Sequence, residues 1–194
     1  MEKLVAAVFF FLAMLGATRA QAQAGKSFDI PRYIMSSGRL TAEQLVTFVA
    51  TTALESDTVR AARLAPLYIV EAQAEGVNHD IAFAQMILET GFLRFKGVVG
   101  PHTNNFCGLG AVSTKQTGHV FPDERSGIRA HIQHLKAYAS SEPLAGELVD
   151  PRYHFVSPKG KAPTIDALAG TWATDPKYAA KIKSLLRRMY YSAN

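Results

Sequence analysis

A single cysteine, Cys107, stands among the 194 residues. It permits no intramolecular disulfide, and no cysteine follows the N-terminal segment to carry a lipid anchor. Tryptophan is as scarce, with Trp172 alone. Beyond residue 24 no apolar run approaches the ~20 residues that span a bilayer, so no stable membrane insertion is expected of the mature chain. No repeat or low-complexity linker divides the sequence, which leaves one domain around one core as the expectation. Acidic residues are outnumbered, 16 against 21 Lys and Arg, for a net charge of +5. That balance favours anionic partners. The basic residues are scattered, however, and no nucleic-acid motif accompanies them, so no nucleic-acid partner is expected. The densest basic run, Lys181 to Arg188, carries Ile182, Leu185 and Leu186 at helical spacing and reads as a solvated helix face.

What is present begins with a targeting segment. Lys3 precedes the apolar run Leu4 to Leu15, and small residues bracket Ala20-Gln21-Ala22-Gln23-Ala24. Residues 1–24 therefore read as a signal peptide, cleaved after Ala22 or Ala24, of a periplasmic, secreted or wall-associated protein. Losing Lys3, Arg19 and Glu2 lowers the net charge from +5 to +4. About 170 residues remain, enough for a core without metal or disulfide support.

The periodicity is helical and the fold class mainly α. Thr41 and Gln44 form a capping box, Leu40 and Leu45 a hydrophobic staple, and a helix follows to about Leu54. A second helix spans Thr58 to Glu75 with Gly76 as its stop, and Pro66 is expected to kink or restart it. Asn78 caps a third, His79 to about Thr90, which is apolar almost all round and reads as a helix buried through the domain centre. From Gly91 to Gly127 turn residues dominate, with a small β-hairpin lobe expected around 107–122 and Gly118 separating its extended stretches. A fourth helix is expected over Gly127–Ser140, a proline-rich loop over 141–163, and shorter helices near Ile165–Trp172 and Lys177–Tyr190.

Glu89 is the chemical anomaly. A carboxylate at the end of an apolar helix is costly unless paired or protonated, and burial and the helix C-terminus both raise its pKa. A carboxylic acid that stays protonated near neutral pH can deliver a proton to a glycosidic oxygen. The alternative is a carboxylate at a frayed end, or one paired with Arg94. Gln85 lies one turn earlier on the same face. Asn104-Asn105-Phe106-Cys107-Gly108 sets two amides beside an aromatic ring, a combination suited to sugars and equally to an Asx-turn followed by a core contact.

Four blocks now stand in order: Glu89-Thr90-Gly91-Phe92, Asn104 to Leu109, Gly127-Ile128-Arg129-Ala130-His131, and Trp172 to Ala179 with Asp175-Pro176-Lys177-Tyr178 inside it. Together they resemble the bacterial glucosaminidases of glycoside hydrolase family 73, relatives of autolysins and of the flagellar muramidase-like hydrolase. The resemblance covers about residues 58–192 as a catalytic domain, with 25–57 as a helical lead-in packed on it. It implies an α+β, lysozyme-like fold and cleavage of the β-1,4 bond after N-acetylglucosamine in the glycan strands of peptidoglycan. Glu89 falls on the family's general acid and Tyr178 on the tyrosine near the reacting sugar. Asn104, Asn105 and Phe106 fall on the block bordering the groove. Trp172 stands where many relatives carry tyrosine, and is expected to stack on a sugar or on the groove wall. No cofactor is implied.

One departure concerns the second catalytic group. Many relatives carry a glutamate in the hairpin, whereas residues 111–121 hold neither Asp nor Glu. Glu124 is the candidate substitute: a separation of about 6.5 to 9.5 Å from Glu89 suits inversion and one near 5 Å retention. Substrate assistance by the 2-acetamido group, with Tyr178 positioning it, needs no second carboxylate, and Glu124 is then a helix-start residue. A Cys107 nucleophile would need a nearby histidine and a depressed pKa, and glycine rather than a helix follows it. His131 and His134 have a metal-like spacing with no third ligand in a motif, so no metal is expected and His131 reads as a core histidine. The alternative of another class is a wall-binding module that hydrolyses nothing.

Overall fold

The computed structural model describes residues 29–52, 57–97, 99–113 and 116–194. Residues 1–24, where a signal peptide is expected, lie outside these. Five α-helices are present among the described residues: α1 (Ala42–Thr52), α2 (Thr58–Glu75), α3 (His79–Thr90), α4 (Glu124–Ala139) and α5 (Tyr178–Ser192). Two short strands, β1 (Ala111–Ser113) and β2 (Gln116–Thr117), pair antiparallel. The chain is mainly α, as its periodicity predicts.

Local sequence sets most of the helix ends. The capping box forms, with Thr41 N–H donating to Gln44 Oε1 (2.9 Å) and Gln44 N–H to Thr41 Oγ1 (3.2 Å). Asp57 accepts from Arg60 N–H at the start of α2, and Gly76 ends that helix in the left-handed region (φ 73°). Asn78 and Gly91 do the same for α3. Pro66 does not restart α2, which runs through it for 18 residues. Its neighbours Leu64, Ala65 and Tyr68 are buried, and their packing outweighs the hydrogen bond that proline cannot donate.

Three further expectations are corrected. The fourth helix starts at Glu124 rather than Gly127, because Asp123 accepts from Ser126 N–H (2.7 Å) and caps it there. Gly118 does not separate the strands; it follows β2 at φ 92°, where a Cβ would lie 2.7 Å from the Leu109 carbonyl oxygen. The segment after Ile165 forms only a 3-10 turn, Asp166–Leu168, before the chain turns at Gly170 (φ 81°).

α3 is the central element, with Ile81, Phe83, Met86 and Ile87 wholly buried among α2, α4 and α5. Ion pairs bind α2 to α4: Glu71 to Arg125 (2.5 Å) and Arg129 (2.7 Å), and Glu75 to Lys136 (2.9 Å). The segment before α1 is tied in through Asp80. That buried carboxylate accepts from Arg39 N–H (2.8 Å), Leu40 N–H (3.2 Å) and the Tyr190 hydroxyl (2.6 Å), so the lead-in, α3 and α5 meet on one side chain. Among the described residues no helix is long and apolar enough to cross a membrane.

Candidate active site

The C-terminal end of α3 opens into a groove of about 360 Å³. Glu89 reaches it from the last turn of α3, and Trp172 and Tyr138 form part of its wall. The loop 105–111 contributes Asn105, Cys107 and Gly108 to Ala111. Among the described lining residues Glu89 is the sole carboxylate.

Glu89 is exposed to the groove, yet its carboxyl is held from behind. Tyr178 donates its hydroxyl proton to Glu89 Oε1 at 2.5 Å, and Trp172 Nε1 donates to the same oxygen at 3.3 Å. Burial of the carboxyl raises the Glu89 pKa above the ordinary carboxylate value, and the two donors pull against that rise without cancelling it. Burial and the Glu89 charge push the Tyr178 pKa upward, so its phenol remains a proton donor. Both donors occupy Oε1, which leaves Oε2 as the oxygen open to a proton.

A buried chain of hydrogen bonds stands behind this pair. Gln85 Nε2 donates to the Tyr178 oxygen (2.9 Å), and Gln85 Oε1 lies 3.0 Å from His131 Nε2. His131 Nδ1 in turn lies 2.9 Å from the Tyr68 hydroxyl. Burial, with His134 nearby, lowers the His131 pKa to about 3, so the ring is neutral. One assignment of protons satisfies every member: Tyr68 donates to Nδ1, Nε2–H donates to Gln85, Gln85 donates to Tyr178, and Tyr178 donates to Glu89. His131 is thus the hydrogen-bonded core histidine expected, and its place behind Glu89 is new.

Trp172 packs against His131, His134 and Tyr138, with ring centroids 6.0, 5.2 and 5.2 Å away. It is part of the groove wall, one of the two placements expected for it. Glu89, Tyr178, Gln85 and Trp172 are therefore brought together.

Of the other sequence candidates, Asn105 reaches the groove lining, and Asn104, Phe106 and Glu124 are not among the described lining residues. Phe106 is wholly buried, 6.5 Å from the Phe95 ring, with Arg60 stacked over both. Of the two readings open for it, sugar contact and core contact, its full burial fits the core contact. Asn104 donates to the Phe121 carbonyl (3.1 Å) and accepts from Arg60 Nη2 (3.1 Å). Asn105 lines the groove, but its amide is committed to Leu109 N–H, the Leu109 carbonyl and the His119 carbonyl. These two residues fold the groove wall. Glu124 sits in the first turn of α4, bonded to Arg63 through both oxygens (2.9 and 3.1 Å) and 3.2 Å from Arg60 Nε, and it is not among the described lining residues.

Several groove residues escape the sequence reading. His134 lines the groove and pairs through Nδ1 with the buried Asp150 carboxylate at 2.7 Å. Arg152 lines it from the same loop as Asp150. Asp150 lies in the proline-rich stretch where no periodicity marks a residue as inward, and the one signal was the spacing of His134 from His131. Cys107 also lines the groove, but its thiol is buried and its pKa is raised well above the usual value by that burial, with the Glu89 charge adding to it. It lacks the reactive thiolate that a nucleophile needs. Among the described residues no group of three or more His, Cys, Asp or Glu side chains is arranged to hold a metal ion.

A family model described as mannosyl-glycoprotein endo-beta-N-acetylglucosaminidase matches residues 65–191. A protein of Borreliella burgdorferi (strain ATCC 35210 / DSM 4680 / CIP 102532 / B31), described only as uncharacterized, is 43% identical over 164 residues, covering 84% of this chain and 80% of its own length.

Proposed function

The chain belongs to the glucosaminidase family, and on that premise we propose that it is an exported peptidoglycan hydrolase cutting the β-1,4 bond after N-acetylglucosamine, with Glu89 as general acid. The observation that carries this reading is the Glu89 carboxyl, raised in pKa by burial at the groove and held on one oxygen by Tyr178 and Trp172. The free oxygen, Oε2, carries the proton to be given. The helical body and the short β1–β2 pair support reading a two-lobed, lysozyme-like arrangement, in which residues 58–192 would be the catalytic domain and 25–57 its lead-in. The segment 1–24 directs export.

The mechanism we favour is substrate assistance. Glu89 Oε2 protonates the leaving glycosidic oxygen while the carbonyl oxygen of the 2-acetamido group attacks the anomeric carbon and breaks its bond to that oxygen. Water then opens the cyclic intermediate, giving a proton to the Glu89 carboxylate and restoring the acid, and the configuration is retained. Support comes from the groove lining, where no second carboxylate accompanies Glu89 among the described residues. Glu124, neutralising Arg60 and Arg63, is assigned to structure. The same lining favours, as the second reading, a wall-binding module without hydrolysis.

Digestion of purified peptidoglycan, followed by borohydride reduction and mass spectrometry, separates the two. Release of fragments with reduced N-acetylglucosamine ends by the wild type and not by Glu89→Gln is the expected result. Binding of the sacculus by both proteins without cleavage by either would replace the hydrolase with the binding module.

A further inference from the structure

Contacts lead from Glu89 through Trp172 to Tyr138 and His134, and Arg152 lines the same groove beside them. The backbone around Arg152 is fixed. Asp150, 1% exposed, accepts from Arg152 N–H at 2.8 Å through one oxygen and pairs with His134 at 2.7 Å through the other. Asp150 makes no ion pair with the Arg152 guanidinium among the described contacts. Among the described residues no carboxylate lies within ion-pair distance of Arg152. Its guanidinium instead lies 4.8 Å from the centroid of the Phe155 ring, and Phe155 is 72% exposed.

An uncompensated guanidinium at the mouth of a groove, stacked on the most exposed large apolar side chain described, is an amphipathic site for an anion on an organic stem. N-acetylglucosamine presents no charge for it to meet, and where a stem is attached the lactyl carboxyl of the other sugar is uncharged in its amide bond. The peptide stems carried by every second sugar of peptidoglycan do present charge, since they bear free carboxylates. We propose that Arg152 and Phe155 form a peptide-stem subsite, Arg152 taking a stem carboxylate and Phe155 covering the adjoining chain, so that the protein discriminates peptide-bearing glycan from bare glycan. The proposal rests on the peptidoglycan reading above and adds to it a choice between forms of that polymer. The fork geometry of the guanidinium suits two parallel bonds to one carboxylate, which lysine does not reproduce.

The test uses binding, so that it does not depend on turnover. Soluble glycan fragments with their stems, and the same fragments stripped by an amidase and then amidated at the lactyl carboxylate that stripping exposes, are titrated against Glu89→Gln and against Glu89→Gln carrying Arg152→Gln, with Phe155→Ala as the second variant. The expected result is tighter binding of stem-bearing fragments by Glu89→Gln, a preference reduced roughly fivefold by Arg152→Gln, and unchanged affinity for stripped fragments. Constant affinity for stripped glycan also shows that the variant is folded. Equal affinity for the two fragments, or an equal loss on both, overturns the subsite. Failure of the wild type to cleave either fragment overturns the hydrolase reading alone, because the binding preference is read separately.

Discussion

Tyr178 and Glu89 share the shortest polar contact at the groove, a phenolic proton donated to Oε1 at 2.5 Å, while Gln85 donates to the same phenolic oxygen at 2.9 Å. The phenol is thus fixed on both sides, and its bond stabilises the charged form of Glu89 against the burial that raises its pKa. Two consequences follow for Tyr178→Phe. The carboxyl loses a donor that favoured ionisation, so the basic limb of the kcat/KM profile moves to higher pH. The acid also loses its orientation, so kcat at the optimum falls by about ten- to a hundredfold. A pH–rate profile of the variant measures both, and an unmoved basic limb would separate Tyr178 from Glu89 protonation.

His131 supplies a stability prediction of definite sign. Its folded pKa, about 3, lies below the 6.5 of an unperturbed histidine. Between those values the unfolded chain binds the proton that the folded one refuses, so stability falls as pH drops through 6.5 toward 3, by about 1.4 kcal/mol per pH unit for one such site. His131→Gln keeps a donor toward Gln85 and an acceptor for Tyr68 but cannot titrate. Urea unfolding at pH 7 and pH 5 is expected to show a smaller acid-induced loss in the variant than in the wild type, with turnover near pH 7 retained within about threefold. His131→Phe, which leaves Gln85 Oε1 and the Tyr68 hydroxyl unpaired, is expected to lower kcat as well.

The elements best legible in the sequence are those whose determinants are local. α3 is bounded by Asn78 and Gly91 at its two ends, and its unbroken apolar circumference identifies it as the central helix. Glu89 stands out for the same reason, as a carboxylate on such a helix. Tyr178 was reachable only through the resemblance, since nothing within Asp175 to Ala179 tells of a partner 89 residues away. Asp80 and Asp150 were illegible on similar grounds. One draws donors from positions 39, 40 and 190, the other pairs with His134 from a loop without periodicity. Gly118 has the look of a strand divider in the sequence because turns favour glycine, whereas its lack of a Cβ serves a close approach to the Leu109 carbonyl.

Gly127 shows a similar economy of space. A Cβ there would stand 1.8 Å from the Asn104 carbonyl oxygen, a backbone atom that cannot swing aside. Gly127→Ala must therefore push α4 away from the loop that carries Asn104 and Asn105. A loss of about 1 to 3 kcal/mol in stability is expected, together with a larger fractional loss of turnover than stability alone explains, since Asn105 shapes the groove wall. Calorimetry paired with muropeptide release checks this, and a thermally unchanged variant would mean that α4 shifts freely.

Glu124 separates the two accounts of the missing second carboxylate. In the substrate-assisted mechanism it acts only on stability, because it faces Arg60, whose side chain is 8% exposed, and Arg63, which lies at the surface. Glu124→Gln leaves the buried Arg60 without its counter-charge and is expected to cost about 2 kcal/mol. The pair is held on α2 and α4, behind Asn104 rather than beside Glu89, so kcat of the folded variant is expected to stay within about threefold of the wild type. A base or nucleophile that ionises to work would lose orders of magnitude on the same change. Rescue by azide resolves the matter further: an externally supplied anion restores turnover to a glycosidase that has lost its base or nucleophile, and does nothing for one that has lost a structural ion pair. A rate reduced by more than a hundredfold and restored by azide would return Glu124 to the chemistry and remove the 2-acetamido group from it.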